Sequence, residues 1–161
     1  MTSVTLRRAT EADQDHIKEI IHEVGINPSG LSWQRFLLAE VDGTVIGTGQ
    51  IKPHGDGSRE LASIAVLPAY EHRGIGSQII RELLKGESDT LYLMCQRRNE
   101  SFYQRFGFSA IAGFSAIAED KMPRALRRIY YIVRVIKPVG AIIGHELDIV
   151  IMRREVLIIA T

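Results

Sequence analysis

The chain holds one cysteine, Cys95, in 161 residues, so an internal disulfide is excluded and a reducing compartment is compatible. It has little excess charge of either sign. Twenty Lys and Arg stand against 19 Asp and Glu, for a net charge of +1, which offers no electrostatic argument for nucleic acid or for a membrane surface. It lacks an apolar run of membrane-spanning length. The most apolar stretch, Ile129 to Ile143, is interrupted by Arg134 and Lys137 and is too short and too charged to cross a bilayer. No apolar signal-peptide core follows Met1, since Arg7 and Arg8 come at once, and a cytoplasmic location is expected. His16, His22, His54, His72 and His145 show no metal-ligand spacing, and no metal is expected.

What is present reads as one ordinary globular domain over residues 1–161. The composition is 45% hydrophobic and 24% charged, and a chain of this length buries a substantial core without disulfides or metal. Val4–Arg7 reads as a strand. Thr10 caps a helix with Asp13 three residues on, and Ile17, Ile20, Ile21 and Val24 give that helix one apolar face. Gly25 and the run Asn27 to Gly30 end it, and Leu31–Arg35 reads as a short second helix. Phe36–Val41 and Thr44–Ile51 are strands joined at Asp42-Gly43, a strong hairpin signal. Leu61–Val66 is a strand stopped by Pro68, a helix runs from about Gly76 to Leu84, and Thr90–Cys95 is a strand. Asn99–Phe106 is a helix closed by Gly107, Phe108–Ile111 begins a strand, and Glu146–Arg153 is the last one. Residues 108–112 and 114–118 repeat the pentapeptide Phe-Ser-Ala-Ile-Ala around Gly113, a short local duplication in an extended segment. Pro123 opens a helix carrying Leu126, Ile129, Tyr130, Val133 and Ile136 at helical spacing, broken by Pro138 and Gly140. Residues 119–140 are thus a helical insertion before the last strand, a candidate partner surface or part of an acceptor site. Strands alternating with helices, with an early hairpin, indicate a mixed α/β domain.

The most informative segment is Leu61 to Ile80. An apolar strand, a proline and a polar glycine-bearing turn lead into an amphipathic helix. Gly74 and Gly76 let the backbone approach a ligand closely, and the N–H groups at a helix start suit a pyrophosphate. Two nucleotide-binding patterns fail. No Lys-Ser/Thr follows the glycines, and Ser77-Gln78-Ile79 stands where a dinucleotide fingerprint needs a third glycine. Taken alone, Gly-x-Gly is either an anion site or an ordinary turn.

Glu71-His72-Arg73-Gly74-Ile75-Gly76 resembles the acetyl-CoA motif Arg/Gln-x-x-Gly-x-Gly/Ala of the GNAT superfamily of N-acetyltransferases, with Glu71 departing at the first position. A second signature of that family is similar to the strand Leu91 to Cys95 followed by Asn99, Tyr103 and Gly107-Phe108. The resemblance covers roughly residues 3–111 and the final strand. It implies a central mixed, mostly antiparallel sheet of about six or seven strands flanked by helices, splayed at strands 61–66 and 91–95. It implies that Ile64, Ala65 and Val66 present backbone groups to the pantetheine arm of acetyl-CoA. His72, Arg73, Gly74, Ile75, Gly76 and Ser77 would wrap its pyrophosphate, with Glu71 beside them. The resemblance also implies a coenzyme contact by Asn99 and makes Tyr103 the general acid that protonates the leaving thiolate.

Chemistry supports Tyr103 independently, because a phenol of pKa about 10 is reasonably matched to a thiolate of about 8–9. The alternative is a buried helix aromatic, as Phe102, Phe106 and Phe108 are read to be. An acceptor amine of pKa about 10.4 must lose a proton before attack, and Glu60, opening the strand before the turn, is the candidate base. Its alternative is a solvated strand-end carboxylate. Other family members carry a glutamate in the later strand, where this chain has Met94. Cys95 is read as a structural core cysteine, Trp33 as either pocket wall or core, and Arg73, Arg97, Arg98 and Arg105 as surface residues within possible reach of the 3′-phosphate. The expected function is direct acetyl transfer from acetyl-CoA to a primary amine of a small molecule or peptide, in a ternary complex. The alternatives are a CoA-binding sensor or partner module without turnover, and an enzyme using longer acyl chains. An amine acceptor is the expected partner, with no nucleic acid and no membrane. A homodimer is compatible with the family.

Overall fold

The computed structural model describes residues 3–111, 122–128, 130–132 and 148–155. Thr10 and Asp13 begin the first helical segment as expected. The Asp13 carboxylate accepts from the Thr10 N–H at 2.7 Å and from its hydroxyl at 2.8 Å. The opening turn, Glu11–Asp13, is 3₁₀, and α1 follows over Gln14–Val24 with Ile17, Ile20 and Ile21 buried. Gly25 ends it at φ 74°, its N–H 3.1 Å from the Ile21 and His22 carbonyls, a left-handed cap that glycine takes without a Cβ penalty. The helix expected over 31–35 is only a 3₁₀ turn, Trp33–Arg35. Leu31 and Trp33 pack instead against the core of Ile17, Ile21, Phe36 and Leu38.

The chain forms two compact units, Met1–Lys52 with Leu61–Glu87, and Pro53–Glu60 with Ser88–Thr161. In the first, β1 (Thr5–Arg8) pairs antiparallel with β2 (Phe36–Val41), and β2 with β3 (Thr44–Pro53). Asp42 and Gly43 join β2 to β3 with φ 49° and 78°, the two positive values that a type I′ hairpin needs. The fourth strand, β4, spans Arg59–Val66, and α2 spans Ile75–Leu84. Helix α2 buries Ile75, Ile79, Ile80 and Leu83. Two glycines of β3 let it settle close. A Cβ at Gly49 would stand 2.6 Å from Ile79 Cγ2 and 2.7 Å from Ile64 Cδ1, and one at Gly47 would stand 3.0 Å from the Ala65 carbonyl. Glycine in a strand interior marks this kind of approach.

In the second unit the start of β4 pairs in parallel with β5 (Leu91–Gln96), through Arg59↔Leu91 and Glu60↔Tyr92. A short α3 (Glu100–Gln104) follows. Strand β6 (Ser109–Ala110) and β5 both pair antiparallel with β7 (Ile149–Arg154). The strand order is β1-β2-β3-β4-β5-β7-β6, giving the mixed, mostly antiparallel α/β sheet with flanking helices that was expected. Several boundaries differ from the sequence reading; β4, for one, starts two residues earlier, at Arg59. Strand β3 runs on to Pro53. The helix expected over 99–106 keeps only five α-helical residues, since Arg97–Asn99 is 3₁₀ and the chain tightens to i−3 bonds at Phe106 and Gly107. Strand β7 starts at Ile149, and 146–147 lie outside the described residues. After Pro123, residues 124–128 and 130–132 are helical with Leu126 buried. The second copy of the repeat and the breakers Pro138 and Gly140 lie outside the described residues. Among the described residues no helix is long and apolar enough to cross a membrane.

One ion-pair network ties β1 to the start of α1 and to β2. Arg7 donates to both Asp13 oxygens at 2.9 Å and to Glu40 at 2.6 Å. The Arg7 guanidinium, helped by the Thr10 donors, holds the Asp13 carboxyl well below the usual carboxylate range. A carboxyl with a depressed folded-state pKa stabilises above its unfolded pKa of about 3.9 and loses that contribution as pH falls through the folded value. Asp13→Asn should therefore cost about 1–2 kcal/mol at pH 7, discounted because Arg7 is a third exposed. The gap to the native chain should shrink as pH drops below about 4. Urea unfolding at the two pH values checks this.

Candidate functional site

In the first unit the site begins with an irregularity in β4. Ser63 has φ 57° in the middle of a strand, a left-handed value that costs a non-glycine residue energy and needs support from its surroundings. Two buried polar side chains of β3 supply that support. The Thr48 hydroxyl donates to the Ser63 carbonyl at 3.0 Å, and the Gln50 amide donates to Ser63 Oγ at 2.9 Å. Gln50 is itself satisfied by Arg35 Nε at 3.0 Å and the Gly30 carbonyl at 3.2 Å. Ile64, Ala65 and Val66 come directly after this bend, Ala65 buried and its neighbours half-buried.

The glycine turn follows a 3₁₀ turn at Pro68–Tyr70. His72 and Gly74 take φ 61° and 76°, so the backbone reverses twice within three residues before α2 starts at Ile75. The Gln78 N–H closes the first bond of the helix, to the Gly74 carbonyl at 3.1 Å. The N–H groups of Ile75, Gly76 and Ser77 precede that bond and have no intrahelical acceptor. With the positive end of the helix dipole behind them, N–H groups so placed suit an anion. The Glu71 carboxylate is half-exposed, 4.0 Å from His72 Nε2. Arg73 folds back over the preceding turn, donating to the Ala69 carbonyl at 2.9 Å with its guanidinium 5.3 Å from the Tyr70 ring.

In the second unit Asn99 is exposed at the start of α3. Tyr103 is half-buried on the same helix, edge-to-face with Phe102 at 5.0 Å and Phe108 at 6.5 Å. Of the three phenylalanines read as core, only Phe108 is fully buried. Burial pushes the Tyr103 phenol above its ordinary pKa, and the nearby Cys95 adds to the effect. The hydroxyl therefore keeps its proton at neutral pH. It has no hydrogen-bond partner among the described residues. Cys95 is buried in β5, its Sγ 3.8 Å from Met152 Sδ. Burial, with Glu100 adding, raises its thiol to about 11, which suits a structural cysteine and not a nucleophile. Glu60 is not a solvated strand-end group. Its Oε2 lies 2.8 Å from His54 Nε2, and the two side chains are 7% and 9% exposed.

Residues 32–110 match the family model for the acetyltransferase (GNAT) domain. Over those residues the chain is similar to the GNAT acetyltransferases. Every site residue named from the sequence, Glu60 to Tyr103, falls inside that match. Solved structures agree on the GNAT fold. Rv2747 from Mycobacterium tuberculosis, in complex with CoA and NLQ, is 22% identical, with a TM-score of 0.69 over 95% of this chain and 99% of its own. N-acetylglutamate synthase from Neisseria gonorrhoeae, complexed with coenzyme A and N-acetyl-glutamate, is 21% identical with a TM-score of 0.68. The match covers 96% of this chain and 35% of that one. A GNAT family acetyltransferase from Brucella melitensis, in complex with acetyl-CoA, is 25% identical with a TM-score of 0.53, over 68% of this chain and 85% of its own. No curated protein matches the sequence.

Reading the GNAT motifs alone missed His54 and the Thr48–Gln50–Ser63 network. His54 had a usable signal, a histidine six residues before Glu60 across the tight turn Asp56-Gly57-Ser58. The polar pair on β3 had none, because their partners are set by sheet registry. The buried state of Cys95 makes a direct prediction. At pH 8 iodoacetamide should label it at least about 100-fold more slowly in the folded protein than in urea, since thiolate supply falls about tenfold per pKa unit. Equal rates would contradict the burial.

Proposed function

We propose that this chain is an acetyl-CoA-dependent N-acetyltransferase that moves the acetyl group directly to a primary amine of a small molecule or peptide, residues 1–161 acting as one cytoplasmic domain. The observation that carries the reading is the left-handed turn at His72 and Gly74 opening into α2, with the Ile75, Gly76 and Ser77 N–H groups free of helical acceptors. The GNAT match over residues 32–110 supports it. The three similar structures hold coenzyme A or acetyl-CoA, and N-acetyl-glutamate in one of them places amino-acid amines first among acceptors to test.

In this reading the N–H groups of His72 to Ser77 hold the pyrophosphate, with Glu71 turned to solvent and Asn99 contacting the coenzyme. Ile64, Ala65 and Val66 bind the pantetheine arm, and a backbone N–H there polarises the thioester carbonyl. Glu60 takes a proton from the acceptor ammonium, directly or through a water, and later returns it to solvent; the nitrogen lone pair forms the new C–N bond, and the second proton on that nitrogen passes to solvent. The tetrahedral intermediate then collapses. The C–S bond breaks, and the sulfur takes the proton of the Tyr103 hydroxyl, which burial keeps in place at neutral pH. The phenolate is reprotonated from solvent.

Calorimetric titration should show acetyl-CoA and CoA binding with Kd in the micromolar range, about −8 kcal/mol, and no binding of ATP. With an accepted amine, Tyr103→Phe should lower kcat about 100-fold or more while leaving acetyl-CoA affinity unchanged. Binding without turnover by any amine would favour a CoA-binding module. No binding of either coenzyme form would remove both readings.

A further inference from the structure

Glu60 and His54 stand at opposite ends of one short turn, and neither behaves as a surface side chain. His54 Nε2 lies 2.8 Å from Glu60 Oε2 with both groups almost fully buried. A carboxylate removed this far from water is costly unless a donor replaces the lost hydration. A carboxylate only accepts, so Nε2 carries the shared proton. The backbone that carries the imidazole is itself held. The His54 backbone N–H donates to the Ser58 carbonyl at 2.8 Å, and the His54 carbonyl accepts from the Gly57 N–H at 3.0 Å. Asp56 Oδ1 accepts from the Ser58 N–H at 3.0 Å and from its hydroxyl at 2.6 Å. Asp56 Oδ2 accepts from the Ala125 N–H at 3.0 Å, which fastens the turn to the helical residues 124–128. Glu60 is fixed from the other side by its pairing with Tyr92.

We propose that His54 is a positioning residue for acetyl transfer: by donating to Oε2 it holds the Glu60 carboxylate in one orientation, and Oε1, which has no hydrogen-bond partner among the described residues, receives the proton of the acceptor amine. This rests on the acetyl-transfer reading. His54 keeps its own proton throughout. The amine proton passes to Oε1, the C–N bond forms, and when the tetrahedral intermediate collapses the C–S bond breaks and the sulfur takes its proton from Tyr103. Asp56 spends one oxygen on the turn and the other on the Ala125 N–H, which fixes the backbone that brings one imidazole nitrogen to one carboxylate oxygen.

The test compares His54→Ala, His54→Gln and Glu60→Gln with the native enzyme, using acetyl-CoA and the best acceptor from a panel of amino acids, polyamines and a lysine peptide. Glu60→Gln should lose about 100-fold in kcat and His54→Ala about 30-fold, with KM for acetyl-CoA within about threefold of native. His54→Gln, whose amide nitrogen can stand where Nε2 stood, should recover at least about tenfold over His54→Ala. A purely structural role would not produce this rescue at unchanged KM. The proposal is overturned if His54→Gln is no better than His54→Ala, or if His54→Ala retains native kcat. Should His54→Ala not fold, His54→Gln decides: near-native kcat supports the proposal, and loss equal to that of Glu60→Gln overturns it. Full turnover by Glu60→Gln removes the role of the pair while acetyl transfer stands. A native chain with no acetyl-CoA binding or no turnover removes the reading beneath it, and the proposal with it.

Discussion

The N–H groups at the start of a helix have to bond to something, and the first three of α2 have no acceptor within the helix. That constraint organises much of the first unit. The left-handed residues His72 and Gly74 turn the backbone so that α2 begins abruptly at Ile75. Gly47 and Gly49 leave α2 room against β3, where a Cβ at Gly49 would force Ile79 or Ile64 to shift. Ile75, Ile79, Ile80 and Leu83 bury the helix's apolar face, so its start is fixed by packing and not by a cap. Burying a Leu or Ile side chain contributes about 1.5–3 kcal/mol, enough across four residues to hold a helix whose first donors are left for a ligand.

Desolvated polar groups form the second theme. Thr48 and Gln50 are fully buried and carry the left-handed Ser63, while His54 and Glu60 form a buried pair in the other unit. A buried polar group left without a partner costs about 1–3 kcal/mol, so these residues are satisfied with few alternatives, and their geometry is correspondingly rigid. Rigid supports behind the backbone of 64–66 and behind the Glu60 carboxylate are what a site needs if its positions are to be held before a ligand arrives.

How much of this was readable in advance depended on distance along the chain. The Asp42-Gly43 hairpin, the Gly25 cap, the Thr10–Asp13 start and the glycine turn at 74–76 each depend on neighbours within four residues, and all stand where the sequence placed them. The short segment 31–35 and the helix after Asn99 did not reach their expected form. Helical spacing over five to eight residues says little about whether a turn tightens to 3₁₀ when tertiary bonds take its ends. The candidate residues of the site were legible from two motifs. Their partners were not. Glu60 reads from the sequence as a strand-end carboxylate, and only the fold places His54 2.8 Å away. The same holds for Ser63 and Gln50, whose 13-residue separation carries no local signal.

The central claim is that the opening of α2 is where this chain binds the pyrophosphate of coenzyme A. Amide ¹⁵N–¹H spectra of the protein titrated with CoA test it most directly. The account predicts that the amides of Ile75, Gly76 and Ser77 shift progressively and more than any others, saturating with the calorimetric affinity. If CoA binds and those three amides stay in place, the coenzyme is held elsewhere, and the account of the turn is wrong.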